Sequence, residues 1–123
     1  MTHTPGFLQL VNEARPRIRE ISLDAARARL QQNPRAVLVD VREDNEWAAG
    51  HLPGAIHLGK GIIERDIERT IPDRNAAIVC QCGGGFRSAL VCENLQRMGY
   101  TNTLSLDGGF KGWVAKGLPL VKP

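Results

Sequence analysis

The chain has 123 residues and a mass of 13.5 kDa, with 42% apolar and 24% charged residues, which suits one domain able to bury a core without disulfides or metals. Its longest apolar runs, such as Ala36-Val37-Leu38-Val39 and Ala76-Ala77-Ile78-Val79-Cys80, fall far short of the ~20 residues a membrane helix needs, and no secretory leader is visible. The net charge of +3 and pI near 9.0 raise the question of nucleic acid, but the six arginines from Arg15 to Arg35 have no interleaved aromatic or glycine and read as a solvated helix face. Neither nucleic acid nor a membrane is therefore expected as a partner.

In chain order, residues 1–16 read as an N-terminal extension with a helix around Phe7–Ala14, expected to pack on the edge of a sheet, and residues 17–123 as the domain proper. Arg17–Ile21 alternates polar and apolar, as a half-buried strand does. Ser22 caps a helix rich in alanine that Asn33-Pro34 stops. Ala36–Asp40 is a continuous apolar run ending in an acid, the pattern of a strand covered on both faces. A short helix over Glu43–Ala49 closes at Gly50, a brief strand follows over Ala55–Leu58, and a helix over Ile62–Thr70 ends before Ile71-Pro72. Ala76–Gln81 is a second buried strand. Arg87–Met98 is an amphipathic helix with Leu90, Val91, Leu95 and Met98 on one face and Gly99 as its stop. A strand over Thr103–Leu106, the turn Asp107-Gly108-Gly109 and a helix over Phe110–Lys116 complete the chain. Strands separated by helices of these lengths predict an α/β fold with a largely parallel sheet.

Ligands of such folds bind at the carboxyl ends of the strands. There the Ala76–Gln81 strand runs into Cys82-Gly83-Gly84-Gly85-Phe86-Arg87-Ser88 and then directly into a helix. Three consecutive glycines let several backbone N–H groups converge on one point, and the helix start adds its positive dipole end. A sulfur at the mouth of that nest is favoured as its anion, so the segment reads as an anion cradle around a nucleophilic Cys82. The competing reading is a tight turn with Cys82 as apolar filler; Arg87, five positions on at the helix start, tips the balance toward catalysis.

Cys82-x-x-x-x-Arg87-Ser88 resembles the active-site loop of the rhodanese (thiosulfate sulfurtransferase) family. Asp40-Val41-Arg42-Glu43 with Trp47 and Gly50-His51-Leu52-Pro53-Gly54-Ala55 is similar to that family's first signature. Asp107-Gly108-Gly109-Phe110-x-Gly112-Trp113 with Gly117-x-Pro119 is similar to its last. The resemblance runs from about Arg17 to Pro119 and implies a five-stranded parallel sheet flanked by helices on both faces. It implies further that Cys82 takes a sulfane sulfur from a small donor such as thiosulfate as a persulfide and passes it to cyanide or a thiol. The backbone of Gly83, Gly84, Gly85, Phe86, Arg87 and Ser88 would hold the substrate and the persulfide. Arg87 would brace the loop or meet the donor's anionic end, and Asp40 and Arg42 would support the frame. No cofactor or metal is implied. An alternative is a relay module carrying sulfur between a protein donor and a protein acceptor.

Phosphatases of the same fold carry one more residue between cysteine and arginine, so phosphatase activity is not expected here. The loop interior also lacks the lysine or extra arginine of some thiosulfate-using members, which predicts a weaker hold on a doubly charged donor. Cys80 and Cys92 are expected to be core residues, with a role as partner to the Cys82 persulfide as the lesser reading. The odd cysteine number, without a disulfide spacing, predicts a reduced, cytoplasmic setting. His51 is expected to bond backbone, Trp47 and Trp113 to pack, and no role is assigned to His3, His57 or Gln81.

Overall fold

The computed structural model describes residues 3–123. Its strands are β1 (Glu20–Ile21), β2 (Val37–Asp40), β3 (Ile56–His57), β4 (Ile78–Gln81) and β5 (Thr103–Leu106). They form one sheet in the order β1-β5-β4-β2-β3, every neighbouring pair parallel. The helices are α1 (Pro5–Ala14), α2 (Leu23–Gln32), α3 (Asp44–Ala49), α4 (Ile63–Thr70), α5 (Phe86–Arg97) and α6 (Gly109–Ala115). The expected five-stranded parallel sheet with helices on both faces is what the chain forms.

Each face of the sheet has its own core. On one, Ile78 and Cys80 of β4 pack with Ile63 and Ile67 of α4, Val91 and Leu95 of α5, and Val11 of α1. On the other, Leu38 and Val79 pack with Leu23 and Ala26 of α2 and Trp113 of α6. Full burial of an aliphatic side chain contributes ~1.5–3 kcal/mol, so these clusters fix which face each helix covers. All four residues of β4 are buried, as a central strand requires. No helix among the described residues is long and apolar enough to cross a membrane.

Several bounds differ from the sequence expectation. Only Glu20–Ile21 of the expected first strand pairs with β5, because Arg15–Arg17, with Pro16 inside it, turns as a 3-10 helix. The helix expected around Phe7–Ala14 lies on α5 instead of on a sheet edge, with Val11 and Ala14 fully buried. Helix α5 starts at Phe86 instead of Arg87, because Gly85 takes φ +96° and turns the chain into it. Ser22 does cap α2, its Oγ accepting the Ala25 N–H at 3.2 Å.

The strand order locates the crevice. From β2 the chain moves outward to β3, whereas from β4 it moves the other way to β5. The loops leaving the carboxyl ends of β2 and β4 therefore diverge, and a ligand cleft opens between them.

Candidate active site

Cys82 follows β4 at that divergence and is 1% exposed. Its Sγ accepts the backbone N–H of Gly85 at 3.1 Å and that of Ser88 at 3.3 Å. The Ser88 hydroxyl lies 3.4 Å from the same sulfur and 2.8 Å from the hydroxyl of Ser105 on β5. Both serines are fully buried. As a thiol, Cys82 donates to Ser88 Oγ; as a thiolate, it receives the Ser88 O–H, and Ser105 can reorient with it. Two fixed N–H groups and one rotatable hydroxyl thus converge on one sulfur atom.

The loop's shape is imposed from the neighbouring elements. The first N–H groups of α6 hold its carbonyls: Phe110 donates to Cys82 O at 2.8 Å and Lys111 to Gly83 O at 2.9 Å. Gly109, at φ +50°, passes so close that a Cβ there would collide with the Cys82 carbonyl oxygen and lie 3.0 Å from the Gly83 carbonyl. Only glycine fits both the conformation and the contact, which explains the Asp107-Gly108-Gly109 turn physically. From the β4 side, Gln81 Nε2 donates to Cys82 O at 2.8 Å.

Arg87 does not point freely into the cleft. Its guanidinium makes two hydrogen bonds to the Glu46 carboxylate on α3, at 2.6 and 3.1 Å, across the divergence of the two loops. Glu46 also accepts the Glu43 N–H at 3.0 Å and so caps its own helix. The hydrogen bond from Arg87 holds the Glu46 carboxyl below the usual carboxylate range against the opposing effect of burial, and Glu46 in turn raises Arg87. The arginine's charge is therefore largely answered within the protein.

Asp40 and Arg42, at the end of β2, form a buried pair. Arg42 Nη2 lies 2.8 Å from Asp40 Oδ2 and donates to Gly50 O, also at 2.8 Å. Its Cζ sits 4.1 Å from the centre of the Phe110 ring, whose own N–H holds Cys82 O. The pair thus ties β2, the end of α3 and the start of α6 together.

A cleft of about 450 Å³ opens over the loop, lined by His3, Phe7, Glu46, Cys82, Gly83, Gly84, Phe86, Arg87 and Lys111. Sequence reasoning supplied Cys82 and the loop, but missed Ser105, Glu46, Gln81, Lys111 and the two N-terminal rings. Cys80 and Cys92 are fully buried in the core between β4 and α5. The Cys80 S–H, as donor toward Cys92, and then burial hold the Cys80 thiol well above the ordinary range. His51 Nδ1 lies 3.4 Å from Trp47 O, and His57 Nε2 lies 2.8 Å from Arg42 O. Trp47 is only half-buried and stacks on both imidazoles at 3.6 and 4.9 Å, while Trp113 packs and donates to Pro119 O at 2.7 Å. No group of three or more metal-ligating side chains occurs among the described residues.

Comparison with known proteins adds an independent line. The model of the family described as Rhodanese-like domain matches residues 22–116. A putative sulfurtransferase, YtwF, of Bacillus subtilis (strain 168) is 33% identical over 83% of this chain and 96% of its own length. A sulfurtransferase of Allochromatium vinosum is 34% identical over 86% of this chain and 97% of its own. Among solved structures, a Rhodopseudomonas palustris protein of unknown function, described as a possible tyrosine phosphatase, superposes with a TM-score of 0.84 at 28% identity, covering 98% of both chains.

Proposed function

The chain belongs to the Rhodanese-like domain family, and on that footing we propose that it is a sulfurtransferase working through a persulfide on Cys82. The observation that carries this reading is the convergence of the Gly85 and Ser88 N–H groups on Cys82 Sγ, at 3.1 and 3.3 Å. Donors fixed before reaction stabilise charge without reorganising during it.

In the first half-reaction the Cys82 thiolate attacks the outer sulfur of a donor such as thiosulfate. A new S–S bond forms, the donor's own S–S bond breaks, and sulfite leaves with its electron pair. In the second, cyanide or a thiol attacks the outer sulfur of the persulfide and Cys82 leaves as thiolate. Covalent catalysis in two steps gives ping-pong kinetics. The N–H groups on Sγ favour Cys82 as the attacking thiolate in the first half and as the leaving thiolate in the second; in the persulfide between them the negative charge sits on the outer sulfur. Arg87, engaged by Glu46, braces the loop. Asp40 and Arg42 support the frame on which Phe110 holds Cys82 O.

The loop argues against carrying over to this chain the phosphatase activity named for the Rhodopseudomonas protein. Only four residues separate Cys82 from Arg87, and two of the N–H groups are spent on the sulfur itself. A tetrahedral phosphoryl group needs a wider ring of donors. The test is a thiosulfate-to-cyanide assay run beside a protein persulfide donor and an aryl phosphate, on the parent and Cys82→Ser proteins. Thiocyanate formation that vanishes in Cys82→Ser supports the reading; aryl-phosphate hydrolysis without sulfur transfer overturns it.

A further inference from the structure

Three aromatic rings stand beside the Cys82 cleft, and two of them precede residue 22, where the family match begins. His3 and Phe86 have ring centres 4.4 Å apart, His3 and Phe7 5.2 Å, and Phe7 and Phe86 6.3 Å, all tilted. The Arg15 guanidinium lies 4.9 Å from the Phe86 ring centre and helps to fix it. Phe7 is carried by α1, which is anchored on α5 through Val11 and Ala14. Phe7 and Phe86 are thus held on helices packed together, and His3, two residues before α1, lies against both rings.

The charge of the cleft is equally specific. Glu46 and Arg87 answer each other. Lys111 is exposed and makes no ion pair among the described residues, so the lining carries one unanswered fixed positive charge. Thiosulfate, a compact dianion, has nothing apolar to set against three rings. A donor with one negative charge and an apolar body matches both features.

We propose that Phe7, His3 and Phe86 form a subsite for the apolar, preferably aromatic, body of a monoanionic organic sulfane-sulfur donor, with Lys111 at its charged end. The proposal rests on Cys82 as the sulfur carrier. Two donor chemistries of this class react without any oxidant or reductant. With a thiosulfonate, Cys82 Sγ bonds to the terminal sulfur, the S–S bond of the donor breaks, and a sulfinate leaves with the electron pair. With an organic persulfide the same bond breaks and a thiolate leaves. Both steps leave the same Cys82 persulfide.

The test measures single-turnover loading of Cys82 by benzenethiosulfonate, methanethiosulfonate and thiosulfate, each normalised to its rate with a free small thiol. Covering a phenyl group against aromatic rings predicts a preference for benzenethiosulfonate over methanethiosulfonate of about tenfold or more. Phe7→Ala should bring that ratio close to one, and Phe7→Leu should leave an intermediate value. His3→Ala, at an exposed residue whose loss leaves the core intact, should also lower it. Lys111→Gln should slow both thiosulfonates alike and leave their ratio in place. A parent ratio near one, or a parent-like ratio in both Phe7→Ala and His3→Ala, overturns the subsite. Failure of all three donors to load Cys82 overturns the sulfur-carrier reading as well.

Discussion

Ser88→Ala isolates the one removable donor on the Cys82 sulfur. The N–H groups of Gly85 and Ser88 survive the change, at 3.1 and 3.3 Å, and only the hydroxyl at 3.4 Å is lost. A hydrogen bond to a charged group is worth ~1.5–3 kcal/mol, and a long contact to sulfur belongs at the bottom of that range. A loss of about 1.4 kcal/mol is a tenfold fall in the rate of Cys82 persulfide formation. Ser105→Ala leaves the Ser88 hydroxyl in place but removes its 2.8 Å partner. It should slow loading about threefold, a fraction of the bond's worth. Because Ser105 touches the sulfur only through Ser88, adding Ser105→Ala to Ser88→Ala should change the rate no further. Stability should follow the opposite pattern. Ser88→Ala orphans a buried hydroxyl at ~1–3 kcal/mol, and the double variant relieves that penalty. The assay is stopped-flow loading by a sulfane-sulfur donor, with thermal melts of all four proteins. A Ser88→Ala rate within twofold of the parent would show that the hydroxyl does not stabilise the sulfur, and an equal Ser105→Ala effect in both backgrounds would show that Ser105 does not act through Ser88.

Gly109→Ala should cost ~1–3 kcal/mol of stability, from its positive φ and the collision with the Cys82 carbonyl, and should cut sulfur transfer by about 100-fold through a displaced loop. Melting temperature and turnover read both effects. Gly84→Lys meets open space, and it should raise kcat/KM for thiosulfate about fivefold over that for a monoanionic thiosulfonate, from one added charge at ~1 kcal/mol. Glu46→Gln should lower stability at neutral pH by no more than about 1 kcal/mol, since the pair is about a third exposed. The folded Glu46 titrates below its unfolded value, so its contribution is complete above the ordinary carboxylate range and fades as pH falls through the lowered one. Denaturant melts of parent and variant should therefore converge on acidification; a gap that widens in acid contradicts the assignment.

What the sequence disclosed depended on how local each signal was. The buried strands β2 and β4 and the glycine turn after Cys82 are written in consecutive residues, so periodicity and composition find them. Glu46 and Ser105 stand 41 and 17 residues from the loop residues they contact, and nothing at either position marks it as a partner. Glu46 reads locally only as a helix cap. The same blindness hid the His3–Phe86 contact, which exists because α1 folds back on α5. Expecting Arg87 to face either the loop or the donor left its direction open. The neighbouring β2 loop decides it, by bringing a carboxylate within 2.6 Å. The short β1 reflects Pro16, which favours a tight turn over the extended backbone that alternation alone suggested.

The central claim is that Cys82 carries the sulfur. Intact-protein and peptide mass spectrometry after exposure to a sulfane-sulfur donor, then to cyanide, addresses it directly. The peptide containing Cys82 should gain the mass of one sulfur atom and lose it completely to cyanide, and Cys82→Ser should show no gain at all. Sulfur retained by Cys82→Ser, or found on Cys80 or Cys92 in the parent, would contradict it.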